Sequence, residues 1–152
     1  MTDDARFEDG RESPLNLGAE DIDDLKVISA LVQDAVLPVT EMQWRAKERR
    51  FALLLNRFRW EDGAQRPERV QSVLTIDEVL GVSSQGIDRK DKDTILSLLS
   101  VEFDPGEDGA GDVNLTLAGD GTIRLHVEAL GASLKDVTRP YLAPSKSTPQ
   151  HS

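Results

Sequence analysis

Apolar residues change their rhythm along this chain. Ile22, Leu25, Ile28, Leu31, Val32, Ala35 and Val36 recur at three- and four-residue spacings. That spacing predicts one amphipathic helix over 19–36, with its apolar stripe on a single face. Glu20, Asp21, Asp23 and Asp24 crowd its first turn, where carboxylates favour the positive end of the helix dipole. Pro38 marks its end. A stripe of this kind must cover something, and no second helix of similar strength follows, so a sheet is its natural partner.

From Val39 onward the period becomes two. Strands are predicted over 39–45, 50–60, 70–76, 79–84, 94–103, 113–117 and 123–129. A short AKER turn joins the first two, and AGDGT between the last two is a hairpin signal, since Gly119 and Gly121 tolerate positive φ. The stretch ASLKDVTRPYL reads equally as a short strand or a helical turn. About seven short strands with short connections predict an antiparallel meander. The segment 94–103 is apolar on both faces, with Ile95, Leu99, Val101 and Phe103 on one and Leu96 and Leu98 on the other. The expected fold class is therefore α+β. An N-terminal amphipathic helix packs on a curved sheet or partly open barrel, and a pleckstrin-homology-like barrel is one form of it, although such barrels place the helix last.

One strand breaks its own pattern. In RRFALLLNRFRWED, Phe51, Leu53 and Leu55 alternate, and then Phe58 and Trp60 continue one step out of phase. A β-bulge at Asn56 and Arg57 restores the pattern by re-aiming the following side chains. It puts Phe58 and Trp60 with the core and turns Arg57 and Arg59 to the other side.

Composition narrows the class. The 152 residues suit a single domain. A globular unit is expected over 18–142, between polar tails at 1–17 and 143–152 that are expected to be disordered. There is no cysteine, which removes disulfides, thiolate catalysis and cysteine-ligated metals. No run approaches the roughly 18 apolar residues of a membrane span. The acidic N-terminus is no signal peptide, and the expected setting is cytoplasmic, with no membrane partner.

Catalytic templates find little support. The two histidines are His126 and His151. His126 shares an outward strand face with Arg124 and Glu128, which suggests either a general base oriented by Glu128 or a solvated charge row. Asp104, Glu107, Asp108 and Asp112 do not follow the calcium-loop spacing. Asp88, Asp91 and Asp93 alternate with Arg89, Lys90 and Lys92, and read better as turn caps than as metal ligands. No phosphate loop, nucleophile elbow or dinucleotide fingerprint occurs. No cofactor, metal or catalytic residue is assigned, and the balance leans away from an enzyme.

Charge gives the sharpest signal. The chain carries net −10, which repels nucleic acid and anionic lipid in general. Yet residues 45–69 hold eight basic and four acidic residues. This basic hairpin either complements acidic segments within the molecule or forms an exposed edge for an anionic or nucleic-acid partner. In the second case Arg49, Arg50, Arg57, Arg59 and Trp60 are the candidate contact residues, with Trp60 available for stacking.

The stretches LKVISALVQDAV, RFALLLNRFRWE, VLGVSSQGIDRKDKDTILSLLSVEF and GTIRLHVEAL together resemble a family of small alphaproteobacterial proteins, domain-of-unknown-function family 2948. The resemblance implies a cytosolic bacterial setting and carries no activity, cofactor or site residue with it. The function expected is a non-enzymatic binding or adaptor domain with a protein partner. The alternatives are an anion- or nucleic-acid-associated module using the basic hairpin, and an enzyme using Arg and carboxylate chemistry near His126. An exposed edge strand also allows a homo-oligomer.

Overall fold

A computed structural model describes residues 14–59, 68–88 and 90–139, and the backbone of 141–142. The chain opens with β1 (Asn16–Ala19), the helix α1 (Ile22–Leu31) and β2 (Ala35–Pro38). A single 3-10 turn then leads into β3 (Met42–Arg45), and a second leads into β4 (Arg50–Phe58). There follow β5 (Glu68–Ile76), β6 (Val79–Gln85), β7 (Ile95–Pro105), β8 (Gly111–Leu117), β9 (Thr122–Val127), β10 (Ala132–Asp136) and β11 (Tyr141–Leu142). The fold is α+β, with one helix on a wholly antiparallel sheet. The described residues form eleven strands, not the seven expected. All seven expected strands are present, β1 and β2 are additional, and the stretch 132–142, read as strand or helical turn, supplies the strands β10 and β11.

The helix is shorter than its stripe. Asp21 caps its N-terminus, its carboxylate accepting from the Asp24 N–H at 2.8 Å, as short acidic side chains do at this position. It stops at Leu31, and Asp34 turns the chain with φ 65°, a conformation Asp adopts more readily than most residues. Ala35 and Val36, expected on the helix, instead enter the sheet as β2, inserted between β4 and β7. Leu25, Ile28 and Val32 are buried, each worth roughly 1.5–3 kcal/mol when fully removed from water. They cover β7, β1 and β10.

The strand order is β1-β10-β5-β4-β2-β7-β8-β9-β6, with β3 added to β4 and β11 added to β5. Two runs are meanders, β3-β4-β5 and β7-β8-β9. The simple meander fails where β6 crosses to lie beside β9 and β10 returns to β5. Ala19 and Val79, from the two ends of this order, belong to one hydrophobic core. The sheet must therefore curl until its inner faces meet, but β1 and β6 do not pair and it remains open.

The bulge expected at Asn56 and Arg57 is absent. β4 pairs with β5 without interruption from Phe51↔Ile76 to Phe58↔Arg69, so there is no bulge at Asn56. Arg57 and Arg59 stay on the inner face with Phe51, Leu53 and Leu55. The real irregularities lie elsewhere. The β7–β8 register shifts between Leu98 and Ser100, and the β6–β9 register shifts between Val79 and Gly81. Each leaves a leucine outside, Leu99 and Leu80. The bulge at Leu99 explains why 94–103 looked apolar on both faces: Leu96 and Leu98 point inward before it and Val101 after it. Beyond this bulge the Val101 N–H donates to Ser29 Oγ of the helix at 2.9 Å.

The β8–β9 hairpin takes its positive φ at Gly119 and Asp120, rather than at Gly119 and Gly121. At the other end of β8, a Cβ on Gly111 would lie 2.4 Å from the Asp104 carbonyl and 2.9 Å from the Phe103 ring. Gly111→Ala should destabilise by about 1–3 kcal/mol, the usual cost of overpacking. Urea denaturation at constant m-value measures it, and an unchanged midpoint would contradict this close approach.

Candidate functional site: a cleft between two unpaired strand edges

The arginines of the basic hairpin are largely engaged. Arg57 is the largest fully buried side chain of the described residues, at 0% exposure. Its Nε donates to Ser72 Oγ and its NH2 to Asp136 Oδ1, both at 2.9 Å. Ser72 donates in turn to Asp136 Oδ1 at 2.6 Å. The other Asp136 oxygen accepts from the Leu15 N–H at 2.9 Å. Strand register explains the meeting: Ser72 lies opposite both Leu55 and Asp136, and Arg57 is one inward position beyond Leu55. Arg59 is buried against Glu68, 3.1 Å away. A buried charge needs such a partner, so this end of the core is ionic, which defeats any reading that equates inward with apolar.

Arg49 and Arg50 lie at a rim. Arg50 pairs with Asp77 at 3.0 Å. Arg49 has left-handed backbone, φ 56°, and reaches Glu128 and Glu78, the second at 2.8 Å. The hydrogen-bonded Glu128 carboxylate holds the Arg49 guanidinium above its ordinary pKa, against some desolvation, with Glu78 adding to the effect. The Arg49 carbonyl also accepts from the Val79 N–H at 2.8 Å. Arg49 thus clasps the start of β4 to the start of β6. On the outer face of the hairpin, Arg69 stacks over the Phe58 ring at 3.9 Å. Trp60 lies outside the described residues. The hairpin is complemented within the molecule, but by carboxylates of β5, its following turn and the ends of β9 and β10 rather than by the acidic helix.

The other candidates resolve simply. His126 Nδ1 sits 3.0 Å from Asp112 Oδ1 on an exposed face. Asp112 is its cross-strand neighbour, while Glu128, expected to orient it, faces Arg49. Asp88 accepts from the backbone of Lys90 and Asp91, and Asp91 from that of Asp93, so two of these carboxylates cap turns. Among the described residues no three metal-ligating side chains gather, and no helix is long and apolar enough to cross a membrane.

Three cavities among the described residues bear on the site. One of about 910 Å³ is lined by Glu20, Asp21, Asp23, Asp77 and Glu78 beside apolar groups. A second, of about 710 Å³, lies between α1 and β7 and carries Lys26, Glu102 and Asp104. The third, about 300 Å³, is lined by Val39, Thr40, Met42, Trp44, Phe51, Val82, Ser83, Ser84, Ile87, Lys92 and Ile123. It has apolar walls, three hydroxyls, one ammonium and no carboxylate. Of the three it best fits the pattern of a ligand site, mostly apolar with a few convergent polar groups.

Its place in the fold is informative. Val82, Ser83 and Ser84 all line it. Successive strand residues point to opposite faces, so a cavity that touches all three runs along the edge of β6. Among the described residues that edge is unpaired beyond Val79, because β6 ends the strand order with β9 as its pairing partner. Across the cavity stands β3, which pairs with β4 alone. The clasp at Arg49 joins the two sides at one end, and the cleft opens away from it. None of the cleft residues was legible as a site, since their meeting depends on β6 lying beside β9. The hint in the sequence was Trp44, an aromatic of the basic hairpin that could supply stacking; it stands 37% exposed at a strand edge.

No curated protein and no solved structure matches the chain at significance. The model of one family, described as "Protein of unknown function (DUF2948)", matches residues 15–151. This span takes in every described strand and the helix, so the core, the ionic cluster and the cleft are all features of the matched region. The chain belongs to that family of proteins of unknown function, DUF2948.

Proposed function

We propose that this protein is a non-enzymatic binding module whose ligand seats in the cleft between β3 and β6. The observation that carries the reading is the pair of unpaired strand edges on either side of one apolar cavity. An exposed edge is a ready template for another chain, and natural sheets usually blunt or cover it. Here it is lined by Trp44, Met42, Val82 and Ile87, the kind of groups that anchor a partner. The basic hairpin supports this role indirectly, since Arg49 fixes the closed end of the cleft. An acidic chain without cysteine suits the cytoplasm, where we place it. The His126–Asp112 pair lines none of these three cavities.

The test is capture of a partner from an extract of the native host by the whole chain. Trp44→Ala and Lys92→Glu each alter a partly or fully exposed side chain, so the melting temperature should move by no more than a few degrees. Each should reduce the captured partner at least about tenfold. Capture that survives both changes and is lost with Arg50→Glu would return the site to the arginine rim.

A further inference from the structure

The cleft's lining also specifies what should enter it. We infer that the ligand is an extended peptide carrying a carboxylate, added as a strand along the free edge of β6; this rests on the cleft being the binding site. Four observations point that way. The free edge of β6 runs from Leu80 to Gln85, and such an edge presents N–H and C=O groups that a small apolar molecule cannot satisfy but a peptide backbone can. At about 3.3 Å per residue, that edge suits a peptide of roughly five residues.

Next, the walls are apolar on both sides, Met42 and Trp44 from β3 facing Val82 and Ile87. A strand lying between them places alternate side chains toward these walls. Charge then selects among ligands. The two larger cavities are lined by carboxylates, in a chain of net −10, and they disfavour an anionic group. The cleft carries Lys92 with no acidic lining residue, so an anion is favoured here. Finally, Lys92 belongs to the loop after β6, and the Arg49 clasp occupies the other end. The carboxylate therefore lies at the Gln85 end.

Four probes test this with the whole chain: N-acetyl-Val-Thr-Val-Thr-Val as free acid, the same peptide as C-terminal amide, an alternately N-methylated free acid, and decanoate. Binding is followed by amide shifts in two-dimensional NMR. The free acid should shift amides within 42–45 and 80–87, the amide form should bind at least about tenfold more weakly, and N-methylation should abolish binding. Lys92→Glu should erase the preference for acid over amide. Decanoate or the N-methylated peptide binding as well as the free acid would overturn the inference, because no strand would be forming. Shifts at β1 instead would overturn it too, as would a concentration-dependent dimer that fills the cleft with a second copy. A cleft silent to all four probes, while Trp44→Ala and Lys92→Glu still lose the captured partner, overturns the peptide inference and spares the binding reading. Silence with capture unaffected sinks both.

Discussion

Arg57→Ala should cost about 3–5 kcal/mol of stability, the loss expected when one member of a buried ion pair is removed. The reason lies in what stays behind. Asp136 is 7% exposed, and without Arg57 its charge keeps the Ser72 hydroxyl and the Leu15 N–H but no cation. A loss of that size is a large fraction of the roughly 5–15 kcal/mol that holds a domain folded. Arg57→Glu combined with Arg59→Glu should be worse, since it sets new carboxylates beside Asp136 and Glu68. Replacing Arg57, Ser72 and Asp136 together by apolar residues of similar volume should recover most of the stability, because the desolvation penalty disappears with the charges. Urea denaturation of the single and triple variants measures both effects. A stable Arg57→Ala protein that has lost its partner would mean that Arg57 serves a ligand instead.

Leu98→Ala and Leu99→Ala form the second large contrast. These neighbours are the same residue type on the same strand. Leu98 is fully buried and Leu99 is 41% exposed at the bulge. The first should lose about 2–5 kcal/mol through the cavity it leaves. The second should stay within about 0.5 kcal/mol, as surface substitutions usually do. Equal losses would place the bulge elsewhere and shift the register of β7 on β8.

These two sites also show what the sequence could reveal. Period-two alternation located β3 to β9 because most of their inward positions are apolar. It failed at β4, where Arg57 and Arg59 occupy inward positions and a buried ionic cluster inverts the sign on which the argument depends. The same logic placed a bulge where polarity changed, while the real bulge in β7 hid in a run apolar on both sides of it. β2 was absorbed into the helix because Val32, Ala35 and Val36 keep helical spacing, and nothing local shows that Asp34 will turn the chain. β1 and β10 are short, and each is completed by a partner far away in sequence, Asn16 meeting Lys135 and Ala132 meeting Ile76. The cleft was the least legible feature. It arises from strand order, and strand order is set by pairings that no local pattern encodes.

The proposed binding role depends on the edge of β6 being the surface that a partner covers. A photo-reactive amino acid placed at the exposed Ser83 in the living host tests this most directly, with the same group at Arg50 as comparison. A discrete cross-linked adduct is expected from position 83, lost on adding Lys92→Glu, and none from position 50. An adduct from position 50 with none from position 83 would contradict it.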